Sequence, residues 1–163
     1  MTLQQLITNQ AGYNLWANQQ LVNWLTKKPV ELLNQEVPSS FSSILKTVNH
    51  IWAIEEYWYA QITKETTFEN RYGVEDLQAD EIFSGLINRS AILADTIASY
   101  TDDELQEKIK IVSPWFESDN SRAEYLLNLI NHGTYHRGQV VTIARNTGIT
   151  DPPPTGLIFY EGA

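Results

Sequence analysis

Four stretches of the chain repeat apolar residues every three to four positions, each behind a helix-start signal, so the chain must fold largely as long amphipathic helices. The first covers about residues 3–26. Thr2 and Gln5 form a T-x-x-Q capping box at its start, and Leu3, Ile7, Asn14, Ala17, Leu21 and Trp24 mark one face until Pro29 stops it. The second opens near Ser40, carries Phe41, Ile44, Val48, Ile51, Ile54 and Trp58 on one face, and ends near Lys64, before Thr66, Thr67 and Gly73 break the pattern. The third starts at Asp80 and sets Ile82, Leu86, Leu93, Ile97 and Tyr100 on a stripe that Ser90 interrupts. The fourth opens on the capping box of Ser121 and Glu124 and runs through Leu126, Leu129, Gly133, His136, Val140 and Ile143 to a C-cap at Gly148. Pro152, Pro153 and Pro154 keep it from resuming.

Helices of roughly 20 to 27 residues are about 30 to 40 Å long, and four apolar stripes bury one another in a four-helix bundle. The expected fold is therefore all-α, one domain over residues 1–163. Two connections, 65–79 and 101–120, exceed what a bundle needs, and loops of that length often cover a site. Within the second, Lys108-Ile109-Lys110-Ile111 alternates as a short extended piece does. The tail, Gly156-Leu157-Ile158-Phe159-Tyr160, is apolar enough to be expected back on the bundle.

Charge narrows the function. With 20 acidic and 11 basic side chains the chain carries a formal charge of -9, which repels phosphate backbones and anionic lipid and argues against a nucleic-acid or membrane partner. The start of the chain lacks a basic stretch followed by an apolar run, and no apolar segment reaches membrane-spanning length, so the expectation is a soluble, cytoplasmic protein. The absence of cysteine excludes disulfides, thiolate zinc sites and a thiol nucleophile of the protein's own. Sulfur chemistry would need a bound partner.

All three histidines, His50, His132 and His136, fall within helices. At helical spacing His132 and His136 stand about 40° apart around the axis and about 6 Å apart along it, which suits two imidazoles on one ion. His50 borders the same interior from the second helix, and bundle cores commonly hold metals between facing helices. Such a pair also arises as half-buried core residues bonded to carbonyls or hydroxyls. Gly133 and Gly138 each cost a helix about 1 kcal/mol relative to alanine, which marks either a site or close packing of a neighbouring helix. The segment His132-Gly133-Thr134-Tyr135-His136 lacks the glutamate of H-E-x-x-H, so it supplies no hydrolytic base. Three imidazoles without thiolate suit zinc, nickel, iron(II) or copper(II) alike.

Three segments carry a family resemblance: Tyr13-Asn14-Leu15-Trp16-Ala17-Asn18; Ser39-Ser40-Phe41-Ser42-Ser43-Ile44 leading to Asn49-His50-Ile51; and Asn131-His132-Gly133-Thr134-Tyr135-His136-Arg137-Gly138-Gln139-Val140. Together they resemble the DinB-like (YfiT-like) superfamily of metal-dependent four-helix proteins, nearly end to end. The resemblance implies a bundle with a long crossover, a homodimer, and a divalent metal on His50, His132 and His136, nickel or zinc first and iron or manganese next. Characterised relatives include thiol S-transferases that use bacillithiol and a mycothiol-dependent maleylpyruvate isomerase. The implied activity is thus a metal-dependent transferase or hydrolase in which a low-molecular-weight thiol or water attacks an electrophilic substrate. The alternative is a non-catalytic metal-binding stress-response dimer, and a third reading is a small-ligand binder whose histidines hold no metal. Gly156 stands where relatives often carry aspartate, which bears on how the tail is anchored.

Metal-bound imidazoles pass their second N–H to a partner, for which Asn14, Asn128 and Gln139 are the candidates. Tyr57 and Tyr135 are candidate acids or hydrogen-bond donors. Trp16, Trp24, Trp52 and Trp58 read as core or dimer-interface residues. Arg137 either meets an anionic cofactor or is solvated or paired at the surface.

Overall fold

A computed structural model of the chain describes residues 1–65, 71, 73 and 78–161. Helix α1, Leu3–Leu25, begins at the expected capping box: Gln5 N donates to Thr2 Oγ1 at 3.1 Å and Thr2 N to Gln5 Oε1 at 2.9 Å. A five-residue helix, α2 (Val30–Asn34), follows Pro29. Helix α3, Ile44–Thr63, starts four residues later than the periodicity suggested, because the hydroxyl of extended Ser43 caps Lys46 N at 3.2 Å. Phe41 therefore lies outside the helix. Lys64, in the left-handed region at φ 61°, closes α3.

Helix α4 is Ala79–Ala98 and α5 is Asp102–Gln106, the latter opened by a Thr101/Glu104 capping box. The expected extended piece is β1, Lys108–Val112, whose Ile109 and Ile111 point inward. It pairs antiparallel with β2, Glu117–Ser121. Helix α6, Arg122–Asn146, opens on the Ser121/Glu124 box, and Gly148 follows it at φ 88°. A single 3-10 turn spans Leu157–Phe159.

Around the bundle, α1 packs on α4 and α6, and α3 packs on the same two helices. Partner residues fix the directions. Trp52 meets Gly85 and Glu55 meets Ser90, so α3 and α4 run parallel. Asn14 and Asn18 both meet Arg137 while Trp24 meets Asp151, so α1 and α6 run parallel to each other. Parallel α3 and α4 place the end of α3 and the start of α4 at opposite ends of the bundle, joined by the connection at 64–78. Residues 66–70, 72 and 74–77 of that connection lie outside the described residues.

The apolar core is in two parts. One joins Leu21, Leu25, Ile44, Trp52, Leu86 and Val140; the other joins Ile7, Ala17, Ile62, Leu93, Ile97 and Leu126. Between them lies a polar layer to which all four long helices contribute: Asn14, Asn18, Glu55, Ser90 and Arg137, each 2% exposed or less. A Cβ on Gly85 would stand 2.2 Å from the Trp52 ring, so only glycine lets α4 approach α3 there.

The tail departs from expectation in part. Tyr13 Oη donates to Thr155 O at 2.9 Å, and Tyr160 packs on Trp16 at 5.7 Å between centroids, so the segment is anchored at both ends. Leu157, Ile158 and Phe159 between those anchors are exposed, Ile158 to 89%. No helix among the described residues is long and apolar enough to cross a membrane.

Candidate metal centre

Helices α3 and α6 run antiparallel and in contact, which brings His50 opposite His132 and His136. One ring nitrogen from each of the three lies within 4.8 Å of the others, and His50 Nε2 and His132 Nε2 are 2.9 Å apart. Nitrogens bound at about 2.0–2.1 Å to one ion are about 2.9 Å apart at a right angle and about 3.4 Å apart in a tetrahedron. The 2.9 Å between His50 and His132 matches such a donor pair, and the third nitrogen lies near enough to close on the same ion with a small ring movement. Among the described residues this is the group of three histidine, cysteine or carboxylate side chains that could hold an ion, and it contains no acid.

The environment keeps these imidazoles neutral. Burial, then the nearby His136, pushes the His50 pKa down to about 4. Burial, then His136 and His50, pushes that of His132 down to about 3. Burial also lowers His136, against the opposing hydrogen bond to Gln139. Near pH 7 all three therefore offer lone pairs, and no proton has to leave before an ion binds.

Of the three expected supporting residues, Gln139 alone is seen to take that role. Its Oε1 can only accept, so His136 Nδ1 donates to it at 2.7 Å and the His136 Nε2 lone pair is left for a ligand. Asn128 is exposed, and Asn14 serves the polar layer instead. Phe41 stacks on His50 with centroids 4.1 Å apart and meets His136 edge-on at 5.6 Å, forming an apolar wall over two of the three rings. Tyr135 lies edge-on to His136 at 5.0 Å, whereas Tyr57 packs edge-on against Trp58, with burial and Tyr125 raising its pKa. Trp24, Trp52 and Trp58 are buried in the core and Trp16 is half-buried against Tyr160.

Arg137 is neither solvated nor at the surface: it is 2% exposed. Its Nη1 donates to Asn14 Oδ1 at 3.0 Å and Asn18 Oδ1 at 2.9 Å, and its Nη2 to Thr134 Oγ1 at 2.9 Å. The same asparagines donate to Glu55 Oε1 at 2.7 and 2.8 Å, and Ser90 Oγ donates to Glu55 Oε2 at 2.7 Å. Every one of these partners donates to the carboxyl, the pattern of an ionised carboxylate, although burial raises the Glu55 pKa against Ser90, Asn14, Arg137 and Asn18. Two amide dipoles thus couple a buried cation to a buried anion. In the sequence Glu55 carries one signal of this role, its position four residues after Ile51 and three before Trp58, on the apolar face. Gly133 abuts this layer, since a Cβ there would stand 3.0 Å from Arg137 Nη1 and 3.1 Å from Asn14 Oδ1. At Gly138 a Cβ would meet open space, so close packing within the chain does not explain that glycine.

Comparison with known proteins agrees with this architecture. The chain is 27% identical over 160 residues to Protein DinB of Bacillus subtilis (strain 168), covering 91% of this chain and 90% of that one. It is similar in fold to a DinB-like protein from Bacillus cereus ATCC 10987 known from its crystal structure, with a TM-score of 0.70, 21% identity, and coverage of 88% of this chain and 91% of that chain. The DinB family model matches residues 3–163, and the chain belongs to the DinB family.

Proposed function

We propose that the protein binds one divalent metal ion through the ring nitrogens of His50, His132 and His136 and uses it in thiol S-transferase-type chemistry. The observation that carries the reading is the convergence of three imidazole nitrogens within 4.8 Å in surroundings that hold them neutral. Nickel or zinc heads the order of candidates, followed by iron or manganese. Bound there, a divalent ion would supply a Lewis acid that favours the anionic form of a thiol or water near neutral pH. The chain's own residues would prepare the place: Gln139 fixes the His136 ring, and Phe41 shields His50 and His136 from water on one side. The attacking sulfur would come from an external low-molecular-weight thiol, because the chain has no cysteine. A homodimer and an electrophilic small-molecule substrate belong to the same proposal.

The test is elemental analysis of tag-free protein purified without chelating resin, with His50→Ala and His132→Ala alongside. About one ion per chain, lost in both variants, supports the metal centre. Turnover of electrophiles with a panel of low-molecular-weight thiols then supports the transferase, and a loaded protein without turnover leaves the ion a structural one. No ion after reconstitution with zinc, nickel, iron(II) and manganese overturns the proposal.

A further inference from the structure

The polar layer and the three histidines occupy adjoining parts of the same helices. Going along α6, His132 is followed by Gly133, against which Asn14 and Arg137 pack, then by Thr134, which accepts from Arg137, and His136 is followed by Arg137 itself. On α3, Glu55 stands five residues beyond His50. Apolar stripes tolerate sliding and rotation, because dispersion and burial have no direction. Hydrogen bonds do have direction, and a shift of α6 by one turn, about 5.4 Å, would strand Arg137 away from Asn14 and Asn18 and remove the cation that the two asparagines link to Glu55. Asn14 and Asn18 each bond to both charged residues, so the layer ties α1, α3 and α6 at one height, and Ser90 adds α4.

We propose that Asn14, Asn18, Glu55 and Arg137 are positioning residues: by fixing the height and rotation of α6 against α3, they hold His132 and His136 convergent on His50, and metal affinity depends on them. None of the four needs to touch the ion. This inference rests on the metal-binding reading above.

The experiment compares wild type, Arg137→Met and the double variant Glu55→Met/Arg137→Met. For each, cobalt(II) affinity is measured by chelator competition, the visible spectrum of bound cobalt is recorded, and the thermal midpoint is determined without metal. Arg137→Met leaves Glu55 buried with its cationic partner gone, so both stability and affinity should fall. The double variant removes both charges and should recover part of the stability, less the cost of leaving the buried Asn14 and Asn18 amides without those partners. If the layer positions the histidines, the double variant still binds cobalt about tenfold or more weakly, with an altered spectrum, despite a midpoint above that of Arg137→Met. Wild-type affinity and spectrum in a folded double variant overturn the proposal. Gly133→Ala provides a second route, since alanine is the better helix former yet presses on Arg137 and Asn14; it too should weaken cobalt binding while the fold holds, and unchanged affinity there counts against the inference. If wild-type protein itself binds no cobalt, the metal reading fails, and this inference with it.

Discussion

Proton release on metal binding offers a quantitative test of the site's electrostatics. A metal must displace any proton on its ligands, so its apparent affinity at a given pH records their pKa values in the folded, metal-free protein. Two ordinary imidazoles of pKa about 6.5 would be about 90% protonated at pH 5.5 and would together release about 1.8 protons. His50 and His132, held down to about 4 and about 3, carry almost none at that pH. The expected release from this pair is thus under about 0.1 proton, and the lowered His136 acts in the same direction. In affinity, ordinary histidines would lose about 100-fold between pH 7.5 and 5.5, whereas the shifted pair should lose less than about 1.1-fold. Titration calorimetry at pH 5.5 in buffers of low and high ionisation enthalpy reads the proton count directly. A release of about two protons or more, beyond what His136 alone could add, would show that water reaches His50 and His132 and that burial does not hold them neutral.

Stability of the metal-free protein should depend on pH through the same groups. The folded pKa values of the three histidines lie below the unfolded value, so the folded state resists protonation; stability is fully present above about pH 6.5 and is lost as pH falls towards about 4 and about 3. Urea midpoints should drop between pH 7.5 and 5, and a His132→Leu variant should show a smaller drop. Gly85→Ala forces a methyl to 2.2 Å from the buried Trp52 ring, an overpacking cost of about 1–3 kcal/mol that the helix-propensity gain of about 1 kcal/mol offsets in part. Gly138→Ala, in open space, should instead stabilise by up to about 1 kcal/mol without changing metal affinity. Equilibrium urea unfolding separates the two, and equal effects would refute the packing argument. Phe41→Ala should let water reach His50 and raise its pKa from about 4 towards the ordinary value, read by NMR titration of the ring.

The helices and histidines were legible in the sequence for local reasons. Capping boxes and stripes are written within a few residues, and the His132/His136 pair shares one helix face whatever packs against it. The errors have a common cause. Phe41 fits the α3 periodicity, but Ser43 satisfies the backbone first, so the helix starts later and Phe41 turns over the histidines. Helix α5 is too short for periodicity to show, although its Thr101/Glu104 box was readable, and polar β2 has no alternation of its own and exists by pairing with β1. Arg137 reads as a surface residue because its partners lie on two other elements: Asn14 and Asn18 on α1, and Glu55 on α3 beyond them. Each of those residues, taken alone, is an interruption of an apolar stripe. Only their meeting at one level turns the interruptions into a layer, and that meeting is a property of the packed bundle.

The layer and the candidate metal centre treat charge in opposite ways, and the contrast bears on chemistry. Within the layer, a guanidinium is answered by a carboxylate through two amides, so the buried charge is locally balanced. At the histidines no carboxylate contributes to any of the pKa shifts, and the donors are uncharged. Such a donor set cancels none of a cation's formal charge, and Phe41 on one side lowers the local dielectric further. On the proposed reading, an anion from outside the chain balances the ion, and a thiolate or hydroxide as a further ligand fills that need. Binding of a small thiol that strengthens with metal loading, and is lost in His50→Ala, is the result this charge argument requires; thiol affinity indifferent to the metal would refute it.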